Sequence, residues 1–191
     1  ALPVPPDALP YVEAVTRFAR ALGAARGSAP DGADRAAAET EALAGLQATL
    51  AGNGERYWAT IVRAQRIAAD AWIARARGDD ATALLLAREA AEVEATVEKH
   101  PVTPGPLIPA SELLGDLLLE LDQPEEALAA YQATLESEPR SARATFGAAR
   151  AAEAAGDRPT AERHYRALLE IMTDPDPERG EVARAKRFLA C

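Results

Sequence analysis

The sequence has a single cysteine, and it is the last residue, Cys191. No disulfide can therefore form within the chain, which by itself leaves the compartment open. Its nearest basic neighbours are Lys186 and Arg187, and an ordinary thiol is expected there. Histidines number two, His100 and His164. A Ser–His–Asp arrangement would have to recruit Ser28, Ser111, Ser137 or Ser141, and none of these serines lies in a nucleophile elbow. No run of apolar residues reaches the roughly 20 needed to span a bilayer as a helix. No phosphate-binding loop occurs, since Gly52 and Gly54 are not followed by Gly-Lys-Ser/Thr. Aromatic residues make up only 5% of the chain, which argues against a packed β-sandwich.

What the chain does have is alanine. Hydrophobic residues reach 48%, and alanine, the best helix former, supplies much of that fraction. This composition suits helices packed closely through small side chains. The 30 acidic residues outnumber the 21 basic ones, giving a net charge of -9, which opposes binding to a phosphate backbone. It favours a basic or neutral partner, or serves solubility. A length of 191 residues fits one domain.

Taken in order, residues 1–6 form a proline-rich lead-in. Asp7 is a candidate cap for a first helix with Pro10 in its first turn. Tyr11, Val12, Val15, Phe18, Ala19 and Leu22 then recur at helical spacing. A second helix, about Ala33 to Ala51, carries Ala36, Thr40, Leu43, Leu46 and Leu50 on one side. Tyr57 to Ala76 is a third, with a stripe of Tyr57, Ile61, Ala64, Ala68 and Ala71, widened by Trp58, Val62 and Trp72. Ala81 to about Lys99 is a fourth. Three prolines and a glycine in His100–Pro106 then exclude helix. The division expected is a degenerate helical part over 1–100, a Pro/Gly loop over 101–110, and clearer helix pairs plus a capping helix over 111–191.

The clearer part is periodic. Gly115, Ala127, Tyr131 and Pro139 define one unit, and thirty-four residues beyond the first three stand Ala149, Ala161 and Tyr165. Ser111–Leu121, Pro124–Glu138, Ser141–Ala155 and Pro159–Met172 are the predicted helices, with a last one around Val182 to Leu189. On these residues the chain resembles the tetratricopeptide repeat family. The segment Glu98 to Leu107 also resembles a linker of certain bacterial repeat proteins. The resemblance implies an all-α, right-handed solenoid of antiparallel helix pairs, about nine helices in all. It also implies peptide or protein binding in a concave groove, and no catalysis. Carried onto this sequence, the groove residues are Trp72, Glu112, Asp116, Glu120, Arg143, Phe146, Arg150 and Glu153. Some relatives clamp a terminal carboxylate with Lys and Asn, and this chain departs from that pattern by carrying Glu112 and Asp116.

Other residues carry candidate chemistry. Glu94, Glu98 and His100 are carboxylates and an imidazole capable of ligating a metal, though without a recognised spacing. His164 reads as an exposed helix residue. Asp174, Asp176, Glu178 and Gly180 fail as a calcium loop, because the glycine stands at the seventh place and Ala185 at the twelfth. Trp58 and Trp72 read as core residues filling gaps among alanines, an exposed Trp72 being the alternative as a binding anchor.

The expectation is therefore a non-enzymatic scaffold that binds a protein or peptide segment, with no cofactor, no nucleic acid and no membrane insertion. The alternatives are a small-ligand or metal-binding protein using the His100 loop, and a homo-oligomer paired through the alanine-rich N-terminal helices. A start at Ala1 reads as a mature terminus after signal cleavage or as a trimmed chain, with export favoured over the cytoplasm.

Overall fold

The computed structural model describes residues 3–4, 7–97, 106–173 and 179–190. Glu98, His100 and residues 101–105 of the Pro/Gly loop, the acidic run 174–178 and Cys191 lie outside the described residues. Among the described residues the fold is all-α and of the tetratricopeptide-like repeat type. It consists of nine helices: α1 (Pro10–Ala25), α2 (Gly32–Gly52), α3 (Arg56–Ala76), α4 (Asp80–Ala95), α5 (Ala110–Glu120), α6 (Pro124–Ser137), α7 (Ala142–Ala154), α8 (Arg158–Ile171) and α9 (Gly180–Leu189). They fall into two compact units, Ala1–Ala110 and Ser111–Cys191.

In the first unit α1 packs on α2, α2 on α3 and α3 on α4, and α1 also reaches α3. Ala14, Phe18, Ala21, Leu22 and Ala25 form the buried stripe of α1. Asp7 does not cap this helix. The residue before its first turn is Leu9, with no side-chain cap, and Asp7 stands three residues out with a φ of 60°. Pro10 opens the helix instead, with φ already set for it. Ala71 of α3 and Ala83 and Ala87 of α4 are all buried. Helix α4 ends at Ala95, four residues short of the expected Lys99.

Four hairpin turns share one geometry. At each, the second residue past the helix adopts positive φ: Gly54, Gly78, Asp122 and Gly156. The next N–H then reaches back five residues: Glu55 to Leu50, Asp79 to Ala74, Gln123 to Leu118 and Asp157 to Ala152, each at 2.9 Å. This closing motif satisfies carbonyls that a helix end leaves bare. Asp79 and Asp157 then cap the following helices by accepting from the Thr82 and Thr160 N–H groups, both at 3.1 Å. Those hydrogen bonds hold both carboxyls below the usual carboxylate range.

In the second unit α6 packs on α7, α7 on α8 and α8 on α9. Ala149, Ala152, Ala161, Tyr165, Leu168 and Ala185 form a buried cluster. The closest approach occurs at Tyr131 of α6, whose ring is 1% exposed. A β-carbon added to Gly115 of α5 would lie 2.8 Å from that ring, and one added to Gly147 of α7 closer still. The ring is wedged between two helix backbones, and only glycine leaves room for it on both sides.

One substitution should therefore change sign with position. Gly147→Ala should destabilise the chain by about 1–3 kcal/mol through overpacking against Tyr131. Gly45→Ala, in open space on α2, should stabilise it by about 0.5–1 kcal/mol. Asp122→Gly, which relieves the one non-glycine turn of the four, should stabilise it by a similar amount, about 0.5–1 kcal/mol. Urea denaturation of the three variants reads all three signs.

Candidate functional site

The expected groove residues of the second unit lie along α5 and α7, the first helices of its hairpins. Helix α7 is central. Arg143, Phe146, Arg150 and Glu153 recur on it at intervals of three and four residues, so they share one face. Ser141 starts that helix, its Oγ accepting from the Ala144 N–H at 3.1 Å. The same hydroxyl donates to Glu112 Oε1 of α5 at 2.9 Å, and Arg143 Nε lies 2.9 Å from Glu112 Oε2. Glu112 is thus tied down by the start of the next hairpin, which explains why its side chain is only 2% exposed. Burial pushes its carboxyl above the usual range, against the opposing pull of Ser141 and Arg143.

Each buried tyrosine closes a triad on this face. The Tyr131 hydroxyl donates to Asp116 Oδ1 at 2.6 Å, and Arg143 Nη2 donates to Asp116 Oδ2. Burial, reinforced by the Asp116 carboxylate, drives the Tyr131 phenol well above its ordinary range. One repeat on, the Tyr165 hydroxyl donates to Glu153 Oε2 at 2.5 Å, while Arg184 Nη2 of α9 donates to the same oxygen at 3.1 Å. Arg184 Nε also donates to the Tyr165 oxygen at 3.1 Å. Burial, with the Glu153 hydrogen bond added, pushes this phenol up to about 12. Carboxylate, phenol and guanidinium come from three successive helices in both cases. The chemistry is that of a rigid, charge-neutralised surface, since neither phenol is near ionisation at neutral pH.

Phe146 and Arg150 complete the face. Both are half-buried, and the Arg150 guanidinium lies 5.8 Å from the Phe146 ring. Phe146 also meets Tyr165, with ring centroids 6.4 Å apart. Glu120, at the end of α5, is exposed.

Two of the sequence-predicted groove residues are interior. Glu112 is buried as described. Trp72, in the first unit, is 2% exposed and is covered by the Arg26 guanidinium 4.1 Å from its ring centre. The alanines beside it leave a volume that the indole fills, so the core reading holds and the anchor reading does not. Glu94 accepts from the Ala110 N–H at 2.9 Å within the first unit, and its intended co-ligands Glu98 and His100 lie outside the described residues. Among the described residues no three His, Cys, Asp or Glu side chains gather as metal ligands. His164 is not the exposed residue expected. It is half-buried with Nε2 shielded from solvent, and burial holds its imidazole below the usual range. The sequence reading missed Gly147 as a contact point. A glycine within a helix costs about 1 kcal/mol against alanine, and that cost was the available signal.

Residues 113–178 match the family model described as tetratricopeptide repeat. No curated protein shows a significant match to the chain. No helix among the described residues is long and apolar enough to cross a membrane.

Removing Arg143 should expose the charge logic of the face. Arg143→Met leaves Glu112 buried with its carboxyl pushed further up, so the native state holds that proton more tightly than the unfolded chain. Stability should then fall as pH rises through the window above the ordinary glutamate range. The loss should be small at pH 4 and about 1–2 kcal/mol at neutral pH, a half-exposed arginine losing less than a buried one. Urea denaturation across that range checks it, and an equal loss at both ends would refute the assignment.

Proposed function

We propose, from the premise that residues 113–178 are tetratricopeptide repeats, that the α5–α7–α9 face of the second unit binds a segment of a protein or peptide partner and performs no catalysis. Tetratricopeptide repeats in general mediate protein–protein interaction. The observation that carries the reading is the Phe146–Arg150 pair, a half-buried ring and guanidinium set between two triads whose charges already satisfy one another. A surface of this kind needs little reorganisation to bind, which spares ordering entropy. Arginine is also among the residue types enriched where binding energy concentrates. Arg143 and Glu153 frame the pair, and Asp116 and Glu120 extend the face along α5. Trp72 and Glu112, being interior, take no part.

The reading predicts that Phe146→Ser with Arg150→Gln abolishes partner binding while helix content is retained. Affinity capture from a lysate of the source cell, read by mass spectrometry, compares wild type and the double variant, with circular dichroism as the folding control. Proteins recovered equally by both would remove the face as the binding surface.

A further inference from the structure

Arg150 stands apart from the other arginines of its face. Arg143 is held by Glu112 and Asp116, and Arg184 by Glu153. Arg150 makes no ion pair among the described residues; its guanidinium lies over the Phe146 ring and also acts electrostatically on the Tyr131 phenol. Arg140 and Arg163 also make no ion pair among the described residues, but both are exposed. Arg150 is half-buried, so part of its hydration has been lost without a carboxylate to replace it. The repeat register explains the vacancy. Thirty-four residues before Arg150 stands Asp116, the acceptor for Tyr131. In the second repeat the acceptor for Tyr165 is Glu153, three residues further along α7. The acidic role has moved one turn, and a cation occupies the place it left.

We infer that Arg150 receives the side-chain carboxylate of an aspartate or glutamate within a bound peptide, with an apolar residue of that peptide seated on Phe146. The inference rests on the binding face proposed above and adds the sign of its ligand. A guanidinium half-stripped of water and backed by a ring is suited to a carboxylate, which it can meet through two parallel hydrogen bonds. A phosphate is disfavoured, since its larger charge calls for a second unengaged cation, and Arg143 and Arg184 are already paired with Asp116 and Glu153. A chain terminus is disfavoured too, because its clamp needs a second unengaged donor and Arg143 and Arg184 are already committed.

The test is selection of a phage-displayed library of random dodecapeptides on the full chain, in parallel with the Arg150→Gln and Phe146→Ser variants. Synthetic versions of the selected peptides are then measured by fluorescence anisotropy. Wild type should enrich peptides with a fixed Asp or Glu beside a large apolar residue. Changing that residue to Asn or Gln should weaken wild-type binding about tenfold, the scale of one charge-assisted pair. The same change should leave Arg150→Gln binding unaltered. Arg150→Glu should instead prefer the peptide carrying Lys at that position, and Arg163→Gln should behave as wild type. Enriched peptides that lack a fixed acid, yet are lost on Phe146→Ser, would overturn the carboxylate assignment and leave the binding face standing. Peptides that bind all variants equally, or no enrichment at all, would overturn both.

Discussion

The second unit depends on the placement of one ring. Tyr131 is wedged between Gly115 and Gly147, and its burial draws α5 and α7 close around α6. Each of those glycines sacrifices about 1 kcal/mol of helix propensity. A fully buried large side chain returns roughly 1.5–3 kcal/mol, and closely approaching helices add contacts along their length. The ring brings an obligation with it, because a buried phenol needs an acceptor. Asp116 supplies one and is thereby a carboxylate at a half-buried position; Arg143 neutralises it and at the same time holds Glu112, which secures Ser141 at the start of the next hairpin. The polar order of the face follows from the choice of tyrosine at one packing position.

The next repeat meets the same obligation with different parts. Tyr165 is buried among Ala149, Ala152 and Ala161 and lies between Phe146 and Phe188, so no glycine is needed beside it. Its acceptor is Glu153, and the neutralising cation arrives from α9 as Arg184. Pairing of this kind also explains how a chain of net charge -9 carries a face with little local excess of either sign. Acidic residues that contribute to the total are consumed by hydroxyls and guanidinia before a ligand meets them.

Much of this architecture was legible before any coordinates. Helix periodicity and glycine stops place α2, α3 and α5 to α9 within about a residue or two, because small apolar residues at strict spacing leave one way to pack. Asp79, Ser141 and Asp157 stand where helix starts want them. The misses share a physical origin. Asp7 looks like a cap, yet Pro10 decides where α1 begins. Asp122 carries positive φ without the glycine that announces it. Glu112 and His164 look like surface residues because both are polar, and only the packed neighbours reveal their burial. For the site, the face of α7 followed from the repeat register, whereas the triads did not: the partner of Glu153 lies thirty-one residues away and shifts by a turn between repeats. Register predicts which face a residue occupies, but not which of two adjacent positions on that face carries the charge.

The same contact in two settings separates structure from recognition. Arg26 lies over Trp72 and Arg150 over Phe146, both of them guanidinium–ring pairs. Trp72 is sealed in the interior of the first unit, and Arg26 closes the surface above it from an exposed position. There the cation acts as a lid on a packed core. Phe146 is only half covered, and its guanidinium has sunk with it, away from water and without an ion pair among the described residues. A lid over a buried ring stabilises the folded chain and asks nothing of a partner. A half-buried cation on a half-covered ring leaves both hydration and apolar contact incomplete, and a ligand that brings a carboxylate and an apolar group supplies the two together.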